Sequence, residues 1–234
     1  MIVLGIEAAT PIASVGIVGT KGILAEKTVN NRRTHSVNLL PMVKEAIGDA
    51  QLQREDIEGI AVSAGPGSFT GLRIGMAIAK TLSQAWNIPI VGVSTLDSLA
   101  QSLAGHDHFI CPLLNARKNE AYTAIYKFEG FDLRLLEGPV AADMEKLVAM
   151  TAPLEGHITF LGEAVDLYRQ ELSERIGGKM VVAPMTTWFP RAAILAYLGR
   201  QRLLAGGNTD YYSLLPHYIR LSEAEVKWQE RQKR

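Results

Sequence analysis

Hydrophobic and polar positions in the first half of the chain alternate in a pattern that predicts three strands followed by helical crossovers. The three opening β-rich runs are separated by Ala-Thr-Pro and Gly-Thr-Lys-Gly, which are turn sequences. Helical periodicity then alternates with two further short apolar runs. The predicted elements are strands 2–7, 12–18 and 23–29, helix 36–50, strand 59–64, helix 70–86, strand 90–93 and a helix entered by the capping pattern Ser94-x-x-Asp97.

The same order of elements begins again after Gly105. The predicted elements of the second half are strands 109–114, 121–128 and 133–136, helix 141–150, strand 158–161, helix 163–176, strand 179–182 and helix 190–205. Each half therefore has the order βββαβαβα, which gives a mixed sheet covered by helices. Two such units in tandem predict an α/β protein with the duplicated, ribonuclease H-like architecture of the actin-like class, which includes hexokinase and the Hsp70 ATPase.

This order predicts three segments of the chain. The N-terminal subdomain covers residues 1–105, and the C-terminal subdomain covers residues 106–220. The helix after residue 190 is able to pack back on the first subdomain. Residues 221–234 form a basic helical tail, whose cations suit either a solvated helix end or a contact with phosphate.

Composition and charge narrow the function classes. Of the 234 residues 47% are hydrophobic, which is enough for a substantial core, and 24 basic residues balance 24 acidic ones. A net charge of zero argues against a broad surface for nucleic acid, but it is compatible with a local basic patch. The single cysteine, Cys111, excludes an internal disulfide and fits a reducing compartment. Apolar runs are shorter than the roughly 20 residues of a membrane span, so we expect a cytoplasmic protein without membrane contact.

Residues 65–75, Gly-Pro-Gly-Ser-Phe-Thr-Gly-Leu-Arg-Ile-Gly, lie where a predicted strand ends and a helix begins. Free backbone N–H groups and the helix dipole suit such a place to an anion. The stretch is neither a Walker loop nor a dinucleotide fingerprint. A phosphate contact and a tight turn for close packing both remain open. The residues that could contact a nucleotide or its phosphates are Glu7, Thr10, Gly65, Gly67, Ser68, Thr70 and Arg73.

The two helices of the first half carry more apolar surface than one sheet can cover. Gly71, Gly75 and Ala79 recur every four residues and form a ridge of small side chains. Helix 36–50 has two neighbouring apolar stripes, and the second needs its own partner. The alternative is that the helices pack only on each other and on the sheet. The predicted partner interface consists of Leu39, Met42, Val43, Ala46, Gly71, Ile74, Gly75, Ile78, Ala79 and Leu82.

The sequence contains few of the patterns that are typical of a catalytic site. The five histidines form no i, i+4 pair, and no Gly-x-Ser-x-Gly elbow is present. Cys111 lies in an apolar run that predicts a buried, unreactive thiol. Glu7 ends the first strand, where a carboxylate of a duplicated actin-like fold faces the cleft and could hold Mg²⁺ through water. Asn115 occupies the corresponding place in the second half, so the second acid is missing. We predict neither a catalytic residue nor a metal site.

Residues 65–75 resemble the hallmark of the TsaB (YeaZ) family, whose members take part in making threonylcarbamoyladenosine in tRNA. Three shorter motifs follow the order of the same family. They are Arg-Thr-His-Ser at 33–36 with Leu-Leu-Pro at 39–41, Asn-Ala-Arg-Lys-Asn-Glu-Ala-Tyr at 115–122, and Pro-His-Tyr-Ile-Arg at 216–220. Together the motifs cover the chain from its start to about residue 220.

The resemblance implies an actin-like, non-catalytic scaffold that pairs with TsaD, the subunit that carries the metal and transfers the threonylcarbamoyl group to adenosine 37 of tRNA. It further implies that helices 36–50 and 70–86 form the surface that pairs with TsaD, that the chain assembles with the ATPase TsaE, and that it forms a homodimer in isolation. ATP and Mg²⁺ would be used by the complex, with a nucleotide conceivable at the subunit interface and no intrinsic cofactor.

Three positions depart from the family pattern. Glu7 stands where an aspartate is common, Asn115 where an acid is usual, and Val37 where a glutamate is usual. The first two weaken autonomous binding of a magnesium nucleotide, and the third makes the helix face more apolar. Two other functions stay open at this point. One is an autonomous ATP-dependent phosphotransferase of the same fold. The other is a metalloprotease, and the lack of a suitable set of metal-ligating residues argues against it.

Overall fold

A computed structural model describes residues 1–31, 34–207 and 210–220. The predicted basic tail lies outside the described residues, as does Arg33. The first half contains strands β1 (Val3–Glu7), β2 (Ala13–Gly19), β3 (Gly22–Val29), β4 (Gly59–Gly65) and β5 (Ile90–Ser94) and helices α1 (His35–Asp49), α2 (Phe69–Trp86) and α3 (Thr95–Gln101). The second half contains β6 (Phe109–Arg117), β7 (Glu120–Glu129), β8 (Asp132–Ala142), β9 (Ile158–Leu161), β10 (Met180–Val182), α4 (Met144–Thr151), α5 (Val165–Ile176) and α6 (Ala192–Leu204).

Each half folds into a five-stranded mixed sheet, and the two sheets share one topology. The strand order is β3-β2-β1-β4-β5 in the first sheet and β8-β7-β6-β9-β10 in the second. The first strand of each half pairs antiparallel with the second and parallel with the fourth. The predicted order βββαβαβα and the actin-like, duplicated α/β fold are confirmed.

The strands β1 and β2 of the first sheet are buried along their whole length because helices cover both faces, whereas the edge strand β3 is half-buried or exposed. All residues of β1 and β2 are buried, as expected for strands with apolar layers on either side. Helices α1 and α2 pack on one face around Leu4, Ile6 and Ile60. The other face carries Val3 and Val18 with residues of α6. The sheet therefore holds the outward sides of α1 and α2 in a fixed position.

Helix α6 belongs to the second half of the sequence and packs on the first sheet. A Cβ atom on Gly5 or Gly16 would overlap the backbone of α6, so these glycines permit close contact between strand and helix. The backbone N–H of Ala192 donates to Ser14 Oγ at 3.2 Å. Arg191 forms an ion pair with Glu26. These contacts join the end of the second half to the sheet of the first.

The third strand of the second half is longer than predicted. β8 continues to Ala142, whereas the sequence predicted a strand at 133–136 and a helix from residue 141. Residues 140–142 pair with residues 121–123 of β7. Helix α4 begins only after Asp143, whose side chain caps it by accepting from the N–H of Lys146 at 2.9 Å. The predicted start of this helix was wrong because the cap was not recognised.

Residues 210–220, which we call the C-terminal strap, connect the two halves. Leu214 is buried. The N–H of His217 donates to the carbonyl oxygen of Ala64 at 2.6 Å. Farther along, Arg220 donates to the carbonyl oxygen of Ala116 at 2.8 Å and forms an ion pair with Glu120 at 2.6 Å. The strap therefore crosses from the end of β4 to the β6–β7 hairpin.

Within the described ranges, no helix combines the length and the apolar character needed to cross a bilayer.

Candidate functional site

The glycines of residues 65–75 pack against the chain's own backbone. A Cβ atom on Gly67 would overlap the carbonyl oxygen of Ala9. The same carbonyl accepts a hydrogen bond from the N–H of Ser68 at 2.7 Å. On the other side, a Cβ atom on Gly65 would stand 2.7 Å from the carbonyl oxygen of His217. The turn after β1 and the C-terminal strap therefore occupy the space above the loop, which favours the close-packing explanation of this motif.

The seven residues predicted to contact a nucleotide do not share one open surface. Glu7 and Thr10 are buried, and the glycines lie under the backbone just described. The hydroxyl of Ser68 caps α2 by accepting from the N–H of Gly71 at 3.2 Å. Only Ser68, Thr70 and Arg73 of the seven are well exposed. Their contact with a nucleotide stays a prediction.

The carboxyl group of Glu7 lies in the interior of the protein. Its Oε1 accepts from the N–H of Ala9 at 2.6 Å, and its buried Oε2 has no hydrogen-bond partner among the described residues. Burial raises the pKa of Glu7 to about 7, although the N–H of Ala9 and the hydroxyl of Ser63 favour the charged form. Burial therefore favours the neutral form of this carboxyl group, which does not face an open cleft.

In the second half, the partly buried carboxyl group near the end of the first strand belongs to Glu163, since residue 115 is an asparagine. Asn115 is exposed, and its Oδ1 accepts from the N–H of Arg117 at 2.8 Å. The N–H of Asn115 bonds to Glu163, whose pKa is raised by burial. The sequence analysis missed Glu163 because it stands at the predicted start of a helix, where an acid needs no further explanation.

The other side chains that could react with a substrate are a cysteine and several histidines. Cys111 is buried as predicted, and burial raises the pKa of its thiol to about 12. The rings of His106 and His108 lie 4.5 Å apart, and those of His108 and His157 lie 5.1 Å apart. In the part of the chain that the structure describes, no three His, Cys, Asp or Glu side chains are arranged to hold a metal ion.

Most of the predicted interface residues on α1 and α2 face the interior. The residues buried within the chain are Leu39, Met42, Val43, Ala46, Gly71, Gly75 and Ala79, and the partly buried ones are Ile74, Ile78 and Leu82. A Cβ atom on Gly75 would stand 3.0 Å from the Cβ atom of Ala8. The ridge of small residues therefore lies on the turn after β1. Gly71 and Gly75 contact the chain's own turn, and contact of the predicted interface residues with a partner stays a prediction.

The outward sides of α1 and α2 form an apolar groove. Leu40 is 53% exposed and Val37 is 55% exposed on α1. The groove has a volume of about 820 Å³ and is lined by Leu40, Pro41, Val43, Lys44, Glu45, Ile47, Arg54, Leu82 and Trp86. We call it the α1–α2 groove. Periodicity identified the apolar stripes, but it could not tell which stripe faces the sheet.

Comparisons with known proteins agree with this fold. The sequence matches the family model described as "TsaD: tRNA N6-adenosine threonylcarbamoyltransferase" over residues 22–228. The "tRNA threonylcarbamoyladenosine biosynthesis protein TsaB" of Bacillus subtilis (strain 168) is 33% identical over 100% of both chains. The protein of the same description from Escherichia coli (strain K12) is 34% identical over 54% of this chain and 55% of its own.

A solved structure described as "YeaZ from Pseudomonas aeruginosa" superposes with a TM-score of 0.79. It is 23% identical and covers 93% of this chain and 99% of its own, so this likeness concerns the fold. The full-length relative and the extent of the family match carry the assignment. The chain belongs to the sequence family of that model and, within it, to the TsaB (YeaZ) proteins of tRNA threonylcarbamoyladenosine biosynthesis.

Proposed function

We propose that this chain is a non-catalytic subunit that docks on TsaD and enables transfer of the threonylcarbamoyl group to adenosine 37 of tRNA. The assembly includes the ATPase TsaE, and ATP and Mg²⁺ are used by the complex. The observation that carries the proposal is the α1–α2 groove, an exposed apolar surface on a chain of the TsaB family.

The composition of the groove supports docking of a protein helix. Leu40, Ile47 and Trp86 supply its apolar lining. Apolar patches of this kind mark association sites, and amphipathic helices bind in such grooves. Lys44, Glu45 and Arg54 also line it, and charges of both signs fix the register of a partner. The same surface serves a homodimer when TsaD is absent.

A non-catalytic role is supported by the surroundings of the side chains that could act on a substrate. The thiol of Cys111 and the carboxyl group of Glu7 are both fully buried. The loop that an autonomous phosphotransferase would use for phosphate is covered by the backbone of Ala9 and His217. Chemistry on the tRNA is therefore assigned to TsaD.

Substitution of Leu40 tests the docking surface. Leu40→Asp places a charge in the groove, and we expect loss of co-elution with TsaD and of modification in a reaction with TsaD, TsaE, tRNA and ATP. Leu136→Asp is the matched control, because Leu136 on β8 is also 53% exposed. Both changes lie on the surface and should alter the free energy of unfolding by less than about 0.5 kcal/mol.

Two results would contradict the proposal. The first is normal co-elution and normal modification with Leu40→Asp. The second is modification of tRNA by TsaD and TsaE at the full rate when this chain is omitted. ATP turnover by the chain alone would favour the phosphotransferase.

A further inference from the structure

Two aromatic rings and a guanidinium group form a stack at the start of α2. Arg73 Cζ lies 3.8 Å from the centroid of the Phe69 ring. The ring of Tyr218 in the strap lies 4.8 Å from that of Phe69, with 33° between the planes. Arg73 Nε donates to the Tyr218 hydroxyl at 3.0 Å. We call these three residues the aromatic–arginine platform. The three side chains contact one another, so the exposed Arg73 side chain has a fixed orientation.

The tip of the β6–β7 hairpin lies next to this platform along the strap. Arg220 donates to the carbonyl oxygens of Ala116 and Arg117 at 2.8 and 3.2 Å. Tyr218 and Arg220 are two residues apart, which separates their Cα atoms by roughly 7 Å at most. The hairpin tip presents Lys118, which is exposed. The strap thus connects the platform to the hairpin that carries Lys118.

The hairpin tip has an unusual backbone. Arg117, Lys118 and Asn119 have φ angles of 64°, 52° and 58°. Positive φ is uncommon for residues other than glycine. Arg220 stabilises this conformation through the two carbonyl oxygens and through its ion pair with Glu120. The position of Lys118 is therefore fixed by the strap as well as by the turn.

Acids are scarce in the sequence segments that build the platform. Between Glu58 and Asp97 the sequence contains no acid and two bases, Arg73 and Lys80. The strap contains one acid, Asp210, which is eight residues before Tyr218. Glu120 is the acid nearest the hairpin tip in sequence, and Arg220 pairs with it. A cavity beside Asn119 contains the acids Asp143, Glu145 and Glu171. Two of these acids, Glu145 and Glu171, pair with Arg175.

We propose that the platform and Lys118 bind unpaired bases and phosphates of the tRNA substrate, an inference that rests on the proposed function. Unpaired RNA bases stack on aromatic rings and on guanidinium planes, and lysines beside them contact the phosphates. Adenosine 37 lies in the anticodon loop, where bases are unpaired. The scarcity of acids in the sequence segments that build the platform favours RNA over a protein ligand of mixed charge.

Binding of labelled tRNA, measured by fluorescence anisotropy at several KCl concentrations, tests this inference. The chain is measured alone and together with TsaD. Tyr218→Leu removes one ring and the hydrogen bond to Arg73, and Arg73→Gln removes the guanidinium. We expect each to weaken binding about tenfold, which is the size of a lost stacking contact. Tyr218→Phe keeps the ring and should retain most of the affinity.

Two further pairs separate a local contact from a general effect of charge. Lys118→Gln should lower the slope of log K against log [KCl] by about 0.7, the value for one phosphate contact with a single strand. Lys21→Gln is its control, because Lys21 is exposed at the β2–β3 hairpin. Lys80→Gln is the control for Arg73→Gln, since it lies on the same side of α2 about 10 Å farther along. Both controls should bind tRNA as the unchanged chain does.

The outcomes distinguish this inference from the proposed function. Unchanged tRNA affinity in Arg73→Gln, Tyr218→Leu and Lys118→Gln overturns it. Loss of co-elution with TsaD at unchanged tRNA affinity of the chain alone also overturns it, because the platform would then be a protein contact. Failure of the proposed function is seen in the unchanged chain, as modification that proceeds equally well without it.

Discussion

The carbonyl oxygen of Ala8 occupies the position next to Gly71 where any larger residue would place its Cβ atom. The turn after β1 consequently rests directly on the first turns of α2. Gly67, Gly71 and Gly75 all contact this turn. The glycine-rich motif can therefore be explained by the approach of two backbone segments.

Gly71→Ala should destabilise the fold. Alanine normally favours a helix over glycine by about 1 kcal/mol, but here its Cβ atom would overlap the carbonyl oxygen of Ala8. Overpacking of a buried site costs about 1–3 kcal/mol. The overlap is with backbone, so we expect a cost at the upper end of this range and a net loss of about 2 kcal/mol in the free energy of unfolding, measured with urea.

Gly48→Ala is the control for this substitution. Gly48 lies in α1, and nothing stands within 4 Å of its added Cβ atom. Stability should rise by up to about 1 kcal/mol. Equal effects of the two substitutions would show that the contact with Ala8 is unimportant. For the same steric reason, Gly75→Leu would test folding and is unsuited as a test of docking.

Glu7→Gln should remove a pH dependence of stability. The pKa of Glu7 in the folded protein is about 7, above the ordinary 4.5. The folded state therefore binds the proton more readily than the unfolded chain between these values, and stability falls as pH rises through 7. A shift of this size corresponds to about 3 kcal/mol above pH 7. Glutamine carries no charge at any pH.

Urea unfolding at pH 5 and pH 8 measures this effect. The stability of Glu7→Gln relative to the unchanged chain should rise between the two pH values by up to about 3 kcal/mol. Other titrating groups are present in both proteins, so the difference isolates Glu7. A constant difference across this range would mean that Glu7 is not neutralised by burial.

His157→Asn should raise the pKa of His108. Burial lowers the pKa of His108, and the neighbouring His106 and His157 lower it further. The charged form of His108 is therefore disfavoured in the folded state, so this group reduces stability as pH falls through 6.5. NMR titration of the imidazole signals should show only a partial return to the ordinary value, because burial persists. His217→Asn in the strap is the control and should leave His108 unchanged.

Arg220→Ala should loosen the C-terminal strap. The substitution removes an ion pair with Glu120 and hydrogen bonds to two carbonyl oxygens. Hydrogen bonds from charged groups contribute about 1.5–3 kcal/mol, so we expect a loss of this order and faster amide exchange at His217. Arg134→Ala is the comparison, because its ion pair with Glu129 is exposed and should contribute less than about 1 kcal/mol. Equal protection of His217 in both variants would contradict the assigned role of Arg220.

The order of strands and helices could be predicted because each element has its own periodicity and turn residues. The C-terminal part of β8 could not, since Gly138 and Pro139 interrupt the pattern while residues 140–142 still pair with β7. Pairing with a neighbour outweighs local preference there. Packing of α6 on the first sheet could be predicted only as one of two possibilities, because the sequence of α6 does not specify which sheet it covers.

The candidate surfaces were predictable to a smaller extent. Apolar periodicity located both stripes of α1, yet Leu39 is fully buried and its neighbour Leu40 is 53% exposed. Which stripe faces inward depends on the position of the sheet, and this is a tertiary property. The contact between Arg73 and Tyr218 joins residues 145 positions apart, so no local pattern could indicate it.

Closure of the first sheet by α6 has a consequence for synthesis on the ribosome. A nascent chain that ends near residue 105 has made all five strands of that sheet, but the face with Val3, Val18 and Val93 is still open to water. Its cover, Ala193 with Leu195 and Ala196, emerges almost ninety residues later. Completion of the N-terminal half therefore waits until α6 has been synthesised, and the apolar face stays exposed to water during this interval.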